Sequence, residues 1–519
     1  MVTVKRALLS CSDKTGLDTF SKELAALGVE LIASGGTAEF LTKQGLRVKT
    51  VEEFAGITEE LDGRVKTLHP KIHAGILARR DDPAHVRSVG KQGLIDLVVI
   101  NLYPFEQTTQ QPGVSLAEAV EQIDVGGVAL LRAAAKNFSH VAVVCQPSQY
   151  HEVAAALRQG KGQLQEPFAH RLAVAAFALT SRYDTTIAGF LDADQRRADV
   201  SGPRQQLPDT ATTAVRRHQT LRYGENPHQQ GAWYIPTTGM AWGIATLTQH
   251  QGKELSYNNL LDVDAAVRCL LDFGEPACAI IKHHSQCGLA VAASTLQAYE
   301  LAYACDAESA FGGVVGFNRP VDAATAARLC ATFLEVVAAP SLEPTAFQAL
   351  AKKPALRVVT LDWPSHRPVE LEWRHLLGSW LLQEPDHATV VETMKAVTKR
   401  ALTSREHDDL LFAWIAAKHV KSNGIVIAKD RATVGIGQGQ PSRVGSVRLA
   451  LVQASERARG AVAASDGFFP FPDSVELLAK AGVTAIIQPG GSIRDHEVIA
   501  AADAANVAMV VTGIRHFRH

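Results

Sequence analysis

Leu31-Ile32-Ala33-Ser34-Gly35-Gly36-Thr37 is a short apolar run that ends abruptly in two hydroxyls and two glycines. An apolar run this short, broken by glycines, reads as a buried strand followed by a tight turn. Working outward, Ala7-Leu8-Leu9 is another such strand, and Leu17, Phe20, Leu24 and Leu27 between them recur at helical spacing. Strand, helix, strand is the grammar of a parallel α/β sheet. The pattern continues with a strand within Leu94 to Leu102, a helix from Asp124 to Asn137 opening at Gly126-Gly127, and a strand within His140 to Cys145. Ligands of such sheets bind beyond the strand C-termini, so the turns after these strands are where function is sought.

The chain has 519 residues, too many for one ordinary core, so two or three domains are expected. From Asp192 to Gln219 it turns polar and poor in large apolar residues, the composition of a domain connection. We place the boundary near residue 200, giving domains 1–200 and 201–519. In the second, apolar strands at Ala277 to Ile281, Gly313 to Phe317, Gly424 to Ala428, Ala461 to Ala464 and Thr484 to Ile487 alternate with alanine-rich helical stretches, so this part is α/β as well. Lys282-His283 with Phe311-Gly312-Gly313 downstream is weakly echoed by Lys421-Ser422-Asn423 with Phe468-Phe469-Pro470 downstream, as a duplicated unit would be.

Lys and Arg total 52 against 53 Asp and Glu, which excludes the basic bias of a nucleic-acid binder. The seven cysteines are odd in number and contain no C-x-x-C pair, so they read as free thiols of a reducing compartment. There is no signal core and no run of eighteen apolar residues. A cytoplasmic protein that neither crosses a membrane nor binds nucleic acid is expected.

Two turns are suited to anions. Ser34-Gly35-Gly36-Thr37 can direct backbone N–H groups and hydroxyls at a phosphate from a helix N-terminus, and its lack of the G-x-G-x-x-G or Lys-Ser/Thr pattern points to a phosphomonoester. Equally, a glycine pair after a strand can be a tight turn and nothing more. Ser10-Cys11-Ser12-Asp13-Lys14-Thr15-Gly16 ends the neighbouring strand with two hydroxyls and a lysine. Arg64 and Lys66, two apart, point to one face of an extended segment and repel unless an anion lies between them. Asn101 and Tyr103 end a strand, and Asp124 and Lys136 bracket the Gly126-Gly127 helix. Tyr103 as a core ring and Asp124 as a helix cap remain open alternatives.

Cys11 to Gly16, Ala33 to Thr37, Gly63-Arg64-Val65-Lys66-Thr67-Leu68-His69-Pro70, Asn101 to Phe105 and Leu130 to Asn137 together resemble the inosine monophosphate (IMP) cyclohydrolase half of the bifunctional purine-biosynthesis family. The resemblance implies a methylglyoxal-synthase-like fold that closes the second purine ring of formylamido carboxamide ribotide (FAICAR) with loss of water. It also implies that Ser12, Lys14, Ser34, Gly36, Thr37, Arg64 and Thr67 hold the nucleotide, while Lys66, Asn101, Tyr103, Asp124, Gly126, Gly127 and Lys136 surround the closing ring.

In the second half, Ala277-Cys278-Ala279-Ile280-Ile281 delivers Lys282 and His283 and breaks at Cys287-Gly288, as a core strand ending in a catalytic turn would. A lysine there is costly to desolvate without an anionic partner, although Lys282 snorkelling to solvent is the alternative. With Arg222 to Gln229, Gly252 to Asn259, Asp306 to Gly313, Lys421 to Asn423 and Gly437 to Arg443, this segment resembles the aminoimidazole carboxamide ribotide (AICAR) transformylase half of the same family. The implied fold is a tandem pair of cytidine-deaminase-like domains with sites built across a homodimer. The implied co-substrate is 10-formyltetrahydrofolate. By family position His283 is the general base, Lys282 and Asn423 stabilise the oxyanion, Arg222, Tyr223, Gly312 and Arg515 grip the ribotide, and Phe311, Arg443, Phe468 and Pro470 line the reduced-folate site.

The chain departs from the family pattern at His284-Ser285-Gln286, where a small residue and a proline are expected, and at Gln438 and Pro441, where Ala and Met are common. His283, His284 and Cys287 raise a zinc reading, but the H-x-E and P-C-x-x-C signature is missing and no catalytic metal is expected. A sensor of a phosphorylated metabolite and a zinc nucleobase hydrolase are the competing classes.

Overall fold

The computed structural model describes residues 1–56, 65, 67–111, 113–198, 207–237, 241–364, 371–388 and 394–519. They form two compact units, Met1–Arg216 with Pro236–Met240, and Arg217–Ile235 with Ala241–His519. The expected boundary at residue 200 lies outside the described residues. The polar stretch read as a connection is more structured than expected. It begins inside a helix, Glu166–Ala198, and runs into a strand, Val215–Leu221. A helix that buries one narrow face toward its start can be polar at its end, and composition alone does not separate that from a linker.

The first unit is built on a five-stranded parallel sheet of β1 (Arg6–Cys11), β2 (Glu30–Ala33), β3 (Val48–Thr50), β4 (Leu97–Asn101) and β5 (Ala142–Val144), in the order β3-β2-β1-β4-β5. Its strands are apolar on both faces, Leu8, Leu9, Ile32, Val98 and Val99 being fully buried, because helices cover both sides. α1 (Leu17–Ala26) buries the predicted stripe Leu17, Phe20 and Leu24. α2 (Gly35–Lys43) starts directly after β2, and α3 (Gly126–Lys136) packs with α4 (Glu166–Ala198). Strand order reverses at β1, so the gap between the ends of β1 and β4 is the switch point at which such sheets bind ligands.

The second unit holds one twelve-stranded sheet. Its strands are β6 (Thr248–Gln251), β7 (Ala277–Lys282), β8 (Ser285–Val291), β9 (Val314–Phe317), β10 (Val336–Ala339), β11 (Arg357–Thr360), β12 (Lys395–Ala396), β13 (Ile425–Lys429), β14 (Ala432–Gly437), β15 (Val462–Ser465), β16 (Ala485–Gln488) and β17 (Ala508–Val511). The order β6-β11-β10-β9-β7-β8-β14-β13-β15-β16-β17-β12 is two copies of one pattern meeting at β8 and β14. In each copy an antiparallel hairpin (β7-β8, β13-β14) carries a register shift just before its turn and is followed by three strands running parallel to one another.

The duplication extends to packing. α6 (Thr295–Cys305) and α8 (Arg443–Ala454) lie so close to the hairpins that a Cβ on Gly288 or Gly435 would stand 2.0 or 2.2 Å from a helix carbonyl, of Ala302 and Ala450 respectively. The echo between Lys282-His283 and Lys421-Ser422-Asn423 is out of register: Lys282 ends β7, whereas Asn423 precedes β13, the copy of β7. The true counterpart of Lys282 is Lys429. The two segments share one edge of the sheet but not one position in the repeat.

Candidate active sites

In the first unit Cys11 and Asn101 end neighbouring parallel strands in register. The Asn101 side chain organises the turn beyond β1. Its Oδ1 accepts the Asp13 N–H at 2.8 Å and the Ser12 hydroxyl at 3.2 Å, while Nδ2 donates to the Asp13 carbonyl at 3.2 Å. Lys14 folds back to donate to the Cys11 carbonyl and to Thr37 Oγ1, and burial lowers its pKa below the ordinary lysine value. Thr37, buried in the first turn of α2, accepts the Cys11 N–H at 3.0 Å, and Ser34 bonds Ser10 at 2.6 Å. The two turns therefore form one cradle. A Cβ on Gly36 would meet nothing within 4 Å, so this glycine leaves its backbone open instead of serving packing.

At the start of α3, Asp124 Oδ1 accepts the Gly127 N–H at 2.7 Å, and its backbone N–H donates to Tyr183 Oη at 2.8 Å. Burial raises the Asp124 carboxyl pKa, partly offset by the N–H groups of Gly127 and Tyr103. The fit is tight. A Cβ on Gly126 would lie 2.3 Å from Thr67 Oγ1, and one on Gly127 2.6 Å from Asp124 Oδ2. Thr67, Asp124, Gly126, Gly127 and Tyr103, the last half exposed, are thus brought together. Lys136 is not: it closes α3, ten residues or roughly 15 Å beyond Gly126. There it lines a cleft of about 510 Å³ with Arg132, His170 and Phe177. Arg64 and Lys66 lie outside the described residues.

In the second unit the antiparallel alternation of β9, β7, β8, β14, β13 and β15 carries one set of termini to a single edge. That edge holds Lys282 and His283 after β7, Phe311 and Gly312 before β9, Asn423 before β13, Gln438 after β14, and Phe468 and Pro470 after β15. Lys282 Nζ donates to the Phe311 carbonyl at 2.7 Å, and the exposed Phe311 ring packs on Phe333 with centroids 5.1 Å apart. Gly312, at φ 74°, donates to the Phe333 carbonyl at 2.8 Å. The Asn423 Nδ2 donates to the Gln440 carbonyl at 2.8 Å, and its Oδ1 accepts from Arg443 at 2.8 Å. Arg443 is itself buried, paired with Asp466 and bonded to Ser465. Arg222 lies over the Tyr223 ring at 4.8 Å, and Arg515 over Phe517 at 4.6 Å.

The C-terminal segment is docked within this unit. His516 is buried against Trp414 and bonds Asp386 at 2.6 Å, while Ser422 and Arg518 exchange bonds of 2.8 and 3.1 Å. Two details differ from the sequence reading, and a third, a contact between departing residues, was not foreseen by it. The chain reverses at His283-His284, so Cys287 and Gly288 lie inside β8 and do not form the break. The departing residues Gln286 and Gln438 touch each other, Gln438 Nε2 donating to the Gln286 carbonyl at 3.2 Å. Arg443 faces a buried carboxylate instead of an open site. Sequence reading also missed Tyr150, whose hydroxyl meets Asn101 Nδ2 at 3.3 Å, and Tyr183, Asp262 and Asp466. Only Asp466 had a local signal, the Ser465-Asp466-Gly467 turn after an apolar run. Among the described residues no three His, Cys, Asp or Glu gather as metal ligands, and no helix is long and apolar enough to cross a membrane.

A parallel-sheet unit with a phosphate-ready switch point, followed by a duplicated mixed-sheet unit with a polar edge, defines a two-site α/β protein. Residues 16–129 match the MGS-like domain, and residues 134–453 match the AICARFT/IMPCHase bienzyme. The chain belongs to the AICARFT/IMPCHase bienzyme family. It is similar to the bifunctional purine biosynthesis protein PurH of Nostoc punctiforme, 50% identical over 99% of both chains. It is likewise similar to the PurH proteins of Desulfitobacterium hafniense (50% identical, over 99% of this chain and 100% of that one) and Dinoroseobacter shibae (48%, over 100% and 99%). A solved structure described as "Crystal structure of ForH" is 36% identical over 36% of this chain and 97% of its own, with a TM-score of 0.34.

Proposed function

We propose that this chain catalyses the last two steps of IMP synthesis: transfer of a formyl group from 10-formyltetrahydrofolate to the 5-amino group of AICAR, then dehydrative closure of FAICAR to IMP. The observation that carries the reading is full-length similarity to PurH proteins in a chain whose two units each gather polar groups at one sheet edge. Residues 1–200 are the cyclohydrolase and 201–519 the transferase, the latter as two cytidine-deaminase-like subdomains acting in a cytoplasmic homodimer.

In cyclisation, Ser12, Lys14, Ser34, Gly36, Thr37, Arg64 and Thr67 hold the ribotide phosphate and sugar. Asn101 contributes by fixing the Ser12-Asp13 turn. The carboxamide nitrogen attacks the formyl carbon, so charge grows on the formyl oxygen and a proton leaves the nitrogen. Lys66 and N–H groups near Gly126 stabilise that oxygen, each donor being worth roughly 100- to 1000-fold. Asp124 takes the proton, its burial suiting a base that must not be too weak, and returns it to the oxygen; the resulting hydroxyl then leaves as water with the formamide nitrogen's proton, which forms the ring C=N bond. Both reacting groups belong to one molecule, so holding the near-attack geometry supplies much of the rate.

In transfer, the ribotide amine attacks the formyl carbon of the folate while His283 removes its proton. Lys282 and an Asn423 amide hydrogen stabilise the tetrahedral oxyanion, after which the folate nitrogen leaves protonated. Arg222, Tyr223, Gly312 and Arg515 bind the ribotide; Phe311, Phe468 and Pro470 supply apolar surface to the pterin. Arg443, tied to Asp466, serves this site by holding the Asn423 amide. The test is an assay of the purified chain with AICAR and 10-formyltetrahydrofolate that follows IMP and tetrahydrofolate together. Lys66→Ala should abolish cyclisation and let FAICAR accumulate, and His283→Ala should stop transfer while added FAICAR still cyclises. Equal loss of both activities in either folded variant refutes two independent sites.

A further inference from the structure

The two hairpins at the centre of the twelve-stranded sheet each turn through two residues of left-handed φ. These are His283 and His284 (52° and 61°) between β7 and β8, and Asp430 and Arg431 (54° and 57°) between β13 and β14. Asp430 suits the first position of such a turn, but neither pair has the Gly favoured at the second, and His283-His284 has neither. In each half a carboxylate compensates. Asp409 accepts the N–H groups of Asp430 and Arg431 at 3.1 and 2.7 Å. Asp262 in the same way accepts those of His283 and His284, the latter at 2.6 Å.

Asp262 is the sixth residue of α5 (Tyr257–Leu270) and Asp409 the sixth of α7 (Ser404–Lys418). Both helices open with a capping box, Ser256 with Asn259 and Thr403 with Glu406. The clamp is therefore a duplicated device of the fold. Its two copies stand at opposite edges of the sheet, because β7 and β13 run in opposite directions across the centre. Only the Asp262 copy shares its edge with Phe311, Asn423 and Phe468.

We propose that Asp262 is a positioning residue for formyl transfer, its carboxylate binding the N–H groups of His283 and His284 and so holding the turn that presents His283 to the reacting amine. The inference rests on His283 being the base.

The full chain carries its own control, since cyclisation belongs to the other unit. Asp262→Asn should lower transfer kcat roughly 10- to 100-fold, as expected when a catalytic group is misplaced by about an ångström. KM for both substrates and cyclisation of added FAICAR should stay within about twofold of wild type. Asp409→Asn, which loosens the twin turn, should lower the melting temperature without lowering transfer kcat. In the His283→Ala background Asp262→Ala should cost nothing further, because it acts through His283. Three results overturn the inference: Asp262→Asn at wild-type kcat, a full additive loss in the double variant, or an equal kcat loss in Asp409→Asn. If Asp262→Ala does not fold, the Asn variant decides. Should His283→Ala alone retain full transfer, it is the base assignment that fails, whatever the Asp262 variants do.

Discussion

Asp124 caps the start of α3 through the Gly127 N–H while burial raises its carboxyl pKa, and substitution separates these two roles. Asp124→Asn keeps an oxygen for Gly127, so the melting temperature should hold, yet cyclisation should fall roughly 100-fold or more if the carboxylate is the base. The wild-type rate should decline as pH falls through the raised carboxyl pKa, since the base must be ionised, and the variant should lose that limb. Unchanged cyclisation in Asp124→Asn would leave the residue a cap. His419 offers a pH test of stability. Its ring is largely buried against Asp272 at 2.5 Å, and burial pulls its pKa from 6.5 down to about 4. The unfolded chain therefore binds the proton first, so this group's contribution is complete above pH 6.5 and is lost progressively toward pH 4. Urea midpoints measured across that window should flatten in His419→Gln; an unchanged slope would mean that other groups set the acid sensitivity.

Elements in this chain are fixed to one another at points where substitution has little room. Gly288→Ala and Gly435→Ala place a methyl within 2.0 and 2.2 Å of helix carbonyls, so each should destabilise the second unit by at least the roughly 1–3 kcal/mol typical of overpacking. Thermal inactivation should then reach transfer before cyclisation; equal inactivation of both would contradict separate cores. Tyr183 ties α4 to the start of α3, its hydroxyl accepting the Asp124 N–H and donating to the Gln122 carbonyl at 2.9 Å. Tyr183→Phe strands both groups and should cost about 1–3 kcal/mol, with a matching fall in cyclisation and none in transfer. A calorimetric scan with coupled assays checks both halves of that statement. These element-level contacts join residues far apart in sequence, and for that reason no local pattern announced Tyr183, Asp262 or Tyr150.

At the scale of the whole molecule, the fragment 1–200 should melt cooperatively and convert FAICAR to IMP, because its parallel sheet and both cradle turns are complete without the rest. The fragment from residue 201 should transfer formyl groups, with activity falling on dilution if its sites need a dimer. A first fragment that folds but cannot cyclise would place part of that site in the second unit. Much of this architecture was legible in the chain itself. Runs such as Leu8-Leu9, Leu31-Ile32-Ala33 and Ile425-Val426-Ile427 are apolar on both faces because helices cover both sides of their sheets, and that composition is local. The glycine-hydroxyl turns after Ala33 and Cys11 were equally legible, since a break in an apolar run marks a strand end. Only the tertiary structure decided the rest. The His283-His284 reversal has no Asn-Gly signature, and its His284 N–H is met by a carboxylate 22 residues upstream. Arg443 reads as lining the folate site until Asp466 is seen beside it, and Lys136 reads as facing the same ring as Asp124 until the length of α3 separates them. Burial and strand endings are written in neighbouring residues, whereas ion pairing, left-handed turns and the register of the duplicated halves arise from contacts that exist only once the sheets have closed.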